Sequence, residues 1–281
     1  MDATAATLHD GTTIAVHVAG RGPAIVLPVR STVREPGVAE TMRAWGADPD
    51  LGPGLIRVLA RDHQVIAADY EAHRMAHPAP WSLTPDVLAV DVLAIADAAG
   101  IDRFAWYGYS WLGLTGFQVA LRTDRLTALA MGGFPPLGGP YRPMLAVTRA
   151  AHAWSLEPRP EQPGTAPEPG DWSSVSVQTT PDQTQQFVTL YEALQDFDEA
   201  SAVRMIRVPR LVVAGADDDI AYGPGWGDTL VRIGGALADH AAELRSLGWT
   251  VHVLPGLDHL GAMHADVVLP RLRSWLGEHG C

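Results

Sequence analysis

The sequence predicts an α/β protein, a mostly parallel central sheet of about eight strands flanked by helices and interrupted by one insertion. Three observations predict it. Short, continuously apolar runs such as residues 24–29 and 210–215 read as strands buried on both faces. Longer runs with helical apolar spacing separate them, as crossover helices do. The 281 residues and 47% hydrophobic content suffice for one large core.

Each element has a local reason. His9-Asp10-Gly11 marks a turn after a short strand, and 12–19 alternates as its antiparallel partner until Gly20-Arg21-Gly22-Pro23 breaks it. Residues 24–29 form the first buried strand, 54–62 a helix and 64–69 the next strand. Thr84-Pro85-Asp86 starts a helix that runs to Gly100, with Thr84 as N-cap and Pro85 at the first helical position. A strand at 103–109, a helix at 111–123 and a strand at 126–133 follow. After Pro135-Pro136 the rhythm fails, and 157–170 holds five prolines and two glycines, which predicts a mobile loop. An insertion or lid is therefore expected at 136–184, dividing a core of 1–135 and 185–281. The alternation resumes with a helix at 185–204, a strand at 210–215, a helix at 228–247, a strand at 250–254 and a last helix at 262–276.

Composition removes whole classes of chemistry. The net charge of −12 argues against a surface that tracks nucleic-acid phosphates. The chain has no Lys, so a Walker-type loop and Schiff-base catalysis drop out. Its single Cys is the last residue, Cys281, which excludes an internal disulfide and a Cys-rich zinc site. His73 and His77 have the spacing of ligands on a helix, but Pro78 and Pro80 follow and no third ligand is evident, so no metal is expected. No Gly-rich fingerprint follows a strand, so no dinucleotide cofactor is expected either. Residues 1–20 lack the basic start and apolar stretch of a signal peptide, and no stretch nears the roughly 18 apolar residues of a membrane helix. The reading is a cytoplasmic protein whose partner is a small-molecule substrate, with a homodimer left open.

The most informative stretch is Trp106-Tyr107-Gly108-Tyr109-Ser110-Trp111-Leu112-Gly113. It puts a Ser at a strand-to-helix junction, where a sharp turn holds the hydroxyl above the sheet beside helix N-terminal amides; a Ser there is also a common N-cap. Downstream, Gly215-Ala216-Asp217-Asp218-Asp219 ends one apolar strand and Gly256-Leu257-Asp258-His259 follows another. Loops after parallel strands collect functional groups. The order Ser, Asp, His is that of a nucleophile, an orienting acid and a general base.

With these motifs the chain resembles the α/β-hydrolase superfamily over nearly its whole length, the insertion aside. The resemblance implies that Ser110 is the nucleophile, His259 the base and Asp218 the acid, with Asp217 and Asp219 as competitors. It implies a serine hydrolase without cofactor, acting on a carboxylic ester or lactone. Relatives that open epoxides or cleave haloalkanes carry Asp where Ser110 stands. Two departures are visible. Leu112 occupies the place where the family elbow has a small residue, and Pro28-Val29-Arg30-Ser31 replaces the family's His-Gly oxyanion loop. Trp111 then supplies one oxyanion amide and Arg30 is the best candidate for the other, while Val29, Ser31 and the Arg30 guanidinium are candidates to touch substrate. Carbon–carbon bond hydrolysis, a lyase or cyclase step, and ligand binding without turnover are the competing readings. Trp45, Trp81, Trp154, Trp172 and Trp226 are expected over the site, favouring a bulky, mostly apolar substrate.

Overall fold

The apolar runs hydrogen-bond into one sheet in a computed structural model that describes residues 2–157, 171–172 and 179–281. The strands are β1 (Asp2–Thr7), β2 (Thr13–Ala19), β3 (Ala24–Leu27), β4 (Gln64–Ala67), β5 (Phe104–Tyr109), β6 (Leu126–Gly132), β7 (Arg210–Gly215), β8 (Asp219–Ala221), β9 (Leu230–Arg232) and β10 (Trp249–Leu254). The helices are α1 (Pro36–Ala44), α2 (Leu51–Leu59), α3 (Tyr70–Ala76), α4 (Pro85–Ala98), α5 (Trp111–Ala120), α6 (Tyr141–Leu156), α7 (Pro181–Glu192), α8 (Glu199–Met205), α9 (Gly234–Ser246) and α10 (Ala265–His279).

The main sheet has eight strands in the order β1-β2-β4-β3-β5-β6-β7-β10. β2 runs against both its neighbours, and every other neighbouring pair is parallel. Successive strand residues point to opposite faces, which is why the parallel strands are apolar throughout. Ile25, Leu27, Tyr107 and Leu211 pack with α2 and α10 on one face. Val26, Trp106 and Val212 pack with α4, α5 and α9 on the other. The strand order reverses beside β3, and there the carboxyl ends of β3 and β5 open a crevice.

The expected helix from Thr84 is present: Thr84 accepts the Val87 amide, Pro85 occupies the first turn, and Gly100 follows with φ 68°. Several expectations need correction. The helix placed at 54–62 lies earlier, as α2, because residues 60–63 turn back to feed β4. α1 and α3 occupy stretches to which the sequence reading assigns no helix; Asp69 accepts the Ala72 amide at 3.3 Å and so starts α3. The helix at 185–204 is two helices, with a Thr180–Gln183 capping box opening α7 and Asp198 capping α8. The start of the helix placed at 228–247 is β9, paired with β8, because Asp219 accepts the amides of Ile233 at 2.9 Å and Gly235 at 3.0 Å and sets where α9 begins. Of the loop expected at 157–170, residues 158–170 lie outside the described residues.

Two polar clusters tie the opening hairpin to the helices behind it. Asp91, fully buried on α4, accepts from the His9 amide at 2.8 Å, from His9 Nδ1 at 3.0 Å and from the Tyr70 hydroxyl at 2.7 Å. Arg74, fully buried on α3, donates to Asp10 at 2.8 Å and to Thr12 at 3.0 Å. Between β6 and β7 the chain leaves the sheet, and α6 packs against α7 with an Arg149–Glu192 ion pair at 2.8 Å. No helix among the described residues is long and apolar enough to cross a membrane.

Candidate active site

Ser110 stands between β5 and α5 with φ 56° and ψ −132°. A non-glycine residue held there stores about 1–3 kcal/mol of strain. Its hydroxyl does not cap α5, so the plain N-cap reading fails. The turn is held by backbone: the Ser110 amide donates to Gly132 at 2.8 Å and the Ser110 carbonyl accepts from Gly113 at 2.8 Å. The chain folds back so tightly that a Cβ at Gly108 would collide with the Leu112 carbonyl oxygen. Glycine is therefore needed before the Ser, whereas Leu112 is buried in the core beside a cavity that it helps to line.

Asp218 and His259 arrive on loops fastened to each other. Beyond β7 the Ala216 amide donates to Leu254 at 2.8 Å and the Asp217 amide to Leu257 at 3.0 Å, which brings the two strand ends together. Of the three consecutive carboxylates, Asp217 is exposed and Asp219 caps α9, while Asp218 is fully buried with both oxygens 2.9 Å from His259 Nδ1. Burial pushes the Asp218 carboxyl above its usual range, opposed by the bond from His259. With Nδ1 donating to Asp218, neutral His259 keeps Nε2 as an acceptor. The Tyr109 ring lies edge-on to His259 at 5.1 Å, and its hydroxyl donates to the His259 carbonyl at 2.9 Å. Gly133, at φ 58°, leaves room for that ring.

No family model and no curated protein matches the chain. Solved structures do match it along its full length. An enol-lactonase from Burkholderia xenovorans LB400 is 21% identical, with a TM-score of 0.59 over 97% of this chain and 99% of its own. A structure described among epoxide hydrolases of the α/β-hydrolase superfamily, from metagenomes of hot environments, is 16% identical, with a TM-score of 0.53 over 100% and 99%. A thermophilic esterase from Thermogutta terrifontis is 15% identical, with a TM-score of 0.58 over 99% of both chains.

The chain has the α/β-hydrolase fold.

In this α/β-hydrolase fold two cavities meet at Ser110. The first, about 350 Å³, lies under α6 and α7 and is walled by Phe134, Met144, Val147, Phe187 and Tyr191. The second, about 380 Å³, lies under the loop after β3 and is walled by Val29, Arg30, Arg34, Leu51 and Met263. Glu71, Ser110, Trp111, Ile220, Tyr222 and His259 line both. Ser31 lines neither. The Val29 amide is engaged with the Leu27 carbonyl at 2.9 Å, while the Arg30 amide makes no hydrogen bond among the described residues. Of the tryptophans expected over the site, Trp226 lines the first cavity and Trp172 the second; Trp45 contacts Trp172 at 6.3 Å, and Trp81 is 78% exposed and lines neither.

Two lining residues were missed in the sequence, where 69–74 reads as a structural loop and Arg34 attracts no notice. Glu71 accepts the Trp111 indole N–H at 3.1 Å. Its side chain is exposed where it lines both cavities, and desolvation by the surrounding protein pushes its carboxyl above the usual range, opposed by the bond from Trp111 and the charges of Arg34 and His259. The available signal was its place just after a parallel strand.

Proposed function

We propose that the protein is a serine hydrolase that cleaves a carboxylic ester or lactone of a small, mostly apolar molecule through an acyl-enzyme. The observation that carries this reading is the buried Asp218–His259 pair opening on the same cavity as a strained, uncapped Ser110. His259 Nε2 takes the Ser110 proton as Oγ attacks the carbonyl carbon, and Asp218 stabilises the imidazolium that forms. The Trp111 amide at the start of α5 and the Arg30 amide hold the oxyanion, the latter because Pro28 has no N–H and that of Val29 is engaged. The leaving alcohol takes the proton from His259. Water, activated by the same ring, then releases the acid. A Ser rather than an Asp at the elbow separates this reading from epoxide opening, and an enol-lactonase and an esterase are among the structures of similar fold. We place the lid at 136–184, so that α6 and the start of α7 cover the apolar cavity between core segments 1–135 and 185–281.

Labelling by a fluorophosphonate, read by intact mass, tests the reading on the wild type beside Ser110→Ala and His259→Ala. One adduct per chain is expected in the wild type and none in either variant. A folded wild type that stays unlabelled, or an adduct that survives Ser110→Ala, refutes it. Ser82 is the informative site for such an adduct: its Oγ lies 2.9 Å from His9 Nε2, and His9 contacts Asp91, but Ser82 lines neither cavity.

A further inference from the structure

The first cavity combines an aromatic and aliphatic wall with one carboxylate among the described residues, Glu71. Glu71 Oε1 is engaged by the Trp111 indole, and among the described residues Oε2 receives no hydrogen bond and joins no ion pair. Aromatic rings share the lining with it. Trp111 lies 5.9 Å from Tyr70 and meets Phe187 edge-on at 5.3 Å, and Tyr222 and Trp226 lie 5.9 Å apart on the same lining. Arg30 and Arg34 face the second cavity, and among the described residues no guanidinium lines the first. Glu71 and His259 are its acid and its base, and Thr148, Thr184 and Gln183 add uncharged polar atoms.

Desolvation of the Glu71 carboxylate carries a cost that the Trp111 bond and the charges of Arg34 and His259 offset only in part. A cation brought to Oε2 offsets it, and aromatic faces attract the same cation through their ring quadrupoles. An anionic group at that place is repelled.

We propose that Glu71 is a specificity-determining residue that seats a protonated amine or quaternary ammonium group of the substrate in the first cavity, against Oε2 and the rings of Trp111 and Tyr222. The inference rests on the hydrolase reading and narrows it to an apolar ester that carries a cationic amine. Glu71→Gln is the discriminating change, because the amide keeps an oxygen for the Trp111 indole while removing the charge.

The test compares choline with its uncharged carbon isostere, neohexyl alcohol, by calorimetry on the full chain. The wild type is expected to bind choline about tenfold more tightly, Glu71→Gln to lose that preference, and Glu71→Asp to keep part of it. Equal affinity for the two probes in the wild type, no choline binding, or a preference undiminished in Glu71→Gln overturns the proposal. A parallel comparison of choline and neohexyl esters of one acid is expected to show the kcat/KM ratio falling about tenfold in Glu71→Gln, through KM. The two readings fail separately. Choline preference without ester cleavage supports the cation site and removes the hydrolase, whereas cleavage of both esters without preference does the reverse.

Discussion

Three carboxylates in a row, Asp217, Asp218 and Asp219, differ in what the backbone lets each one face. β7 ends at Gly215, and the turn that follows exposes the first, buries the second against His259 and spends the third on the amides that begin α9. Asp218→Asn should lower kcat for an ester by about ten-thousandfold, since the amide disfavours the tautomer that leaves Nε2 as base. Asp217→Asn should leave kcat within about threefold, as expected for a solvated carboxylate. Asp219→Asn should appear mainly as lost stability, because it weakens a helix start. A larger fall in kcat at either neighbour would move the acid. Ser110, Asp218 and His259 were legible as candidates because each follows an apolar strand. Glu71 was not, because its place after β4 was a weak signal without a partner residue, and Trp111 and the two cavities reach it only in the folded chain.

At the scale of elements, the opening hairpin is fastened through Asp10 and Arg74. Burial alone would raise the Asp10 carboxyl, but bonds from Arg74 and Thr12 and the Arg74 charge hold it well below the ordinary range. A carboxyl depressed in the folded state adds stability above its unfolded value of about 4, and that stability is lost as pH falls toward the folded value. Asp10→Asn leaves the buried Arg74 without its partner and should cost about 3 kcal/mol in urea unfolding at neutral pH. The gap between variant and wild type should narrow below about pH 4, as the unfolded wild-type chain takes up a proton at Asp10 that the folded chain still resists. A gap that stays constant with pH would remove the ion pair from the account. The helix α4 could be read in advance because Thr84 and Pro85 supply its start chemically. α3 could not: its seven residues are too few to be stable alone, and it persists because Arg74 and Tyr70 are buried against the hairpin and α4. Likewise, the helical spacing from 185 to 204 continues across a break that the Asp198 cap decides.

Over the whole molecule the charge of −12 acts at a distance. A surplus of carboxylates raises the local concentration of cations around the protein, and salt screens it within a Debye length of about 10 Å at 0.1 M. With a cationic ester, kcat/KM should therefore fall as ionic strength rises, while a neutral isostere should respond far less; stopped-flow or initial-rate measurements over a salt series check it. Identical salt responses would show that the long-range field plays no part and that any preference arises at Glu71 alone. The same scale holds the sheet order, in which β3 sits between β4 and β5 and so brings the loop of Pro28, Val29 and Arg30 to the cavity of Ser110.

Local chemistry was enough for the class of fold, most strands and the order Ser, Asp, His, because strand burial, capping and turn formation depend on neighbours a few residues apart. Which Asp reaches His259, why Leu112 is tolerated after the Ser, and what shares a cavity with Ser110 depended on contacts between distant segments. The Asp218–His259 bond spans 41 residues and the Trp111–Glu71 bond 40. Such pairs are set by how the sheet and the helices over it pack, and no local pattern along the chain encodes that distance.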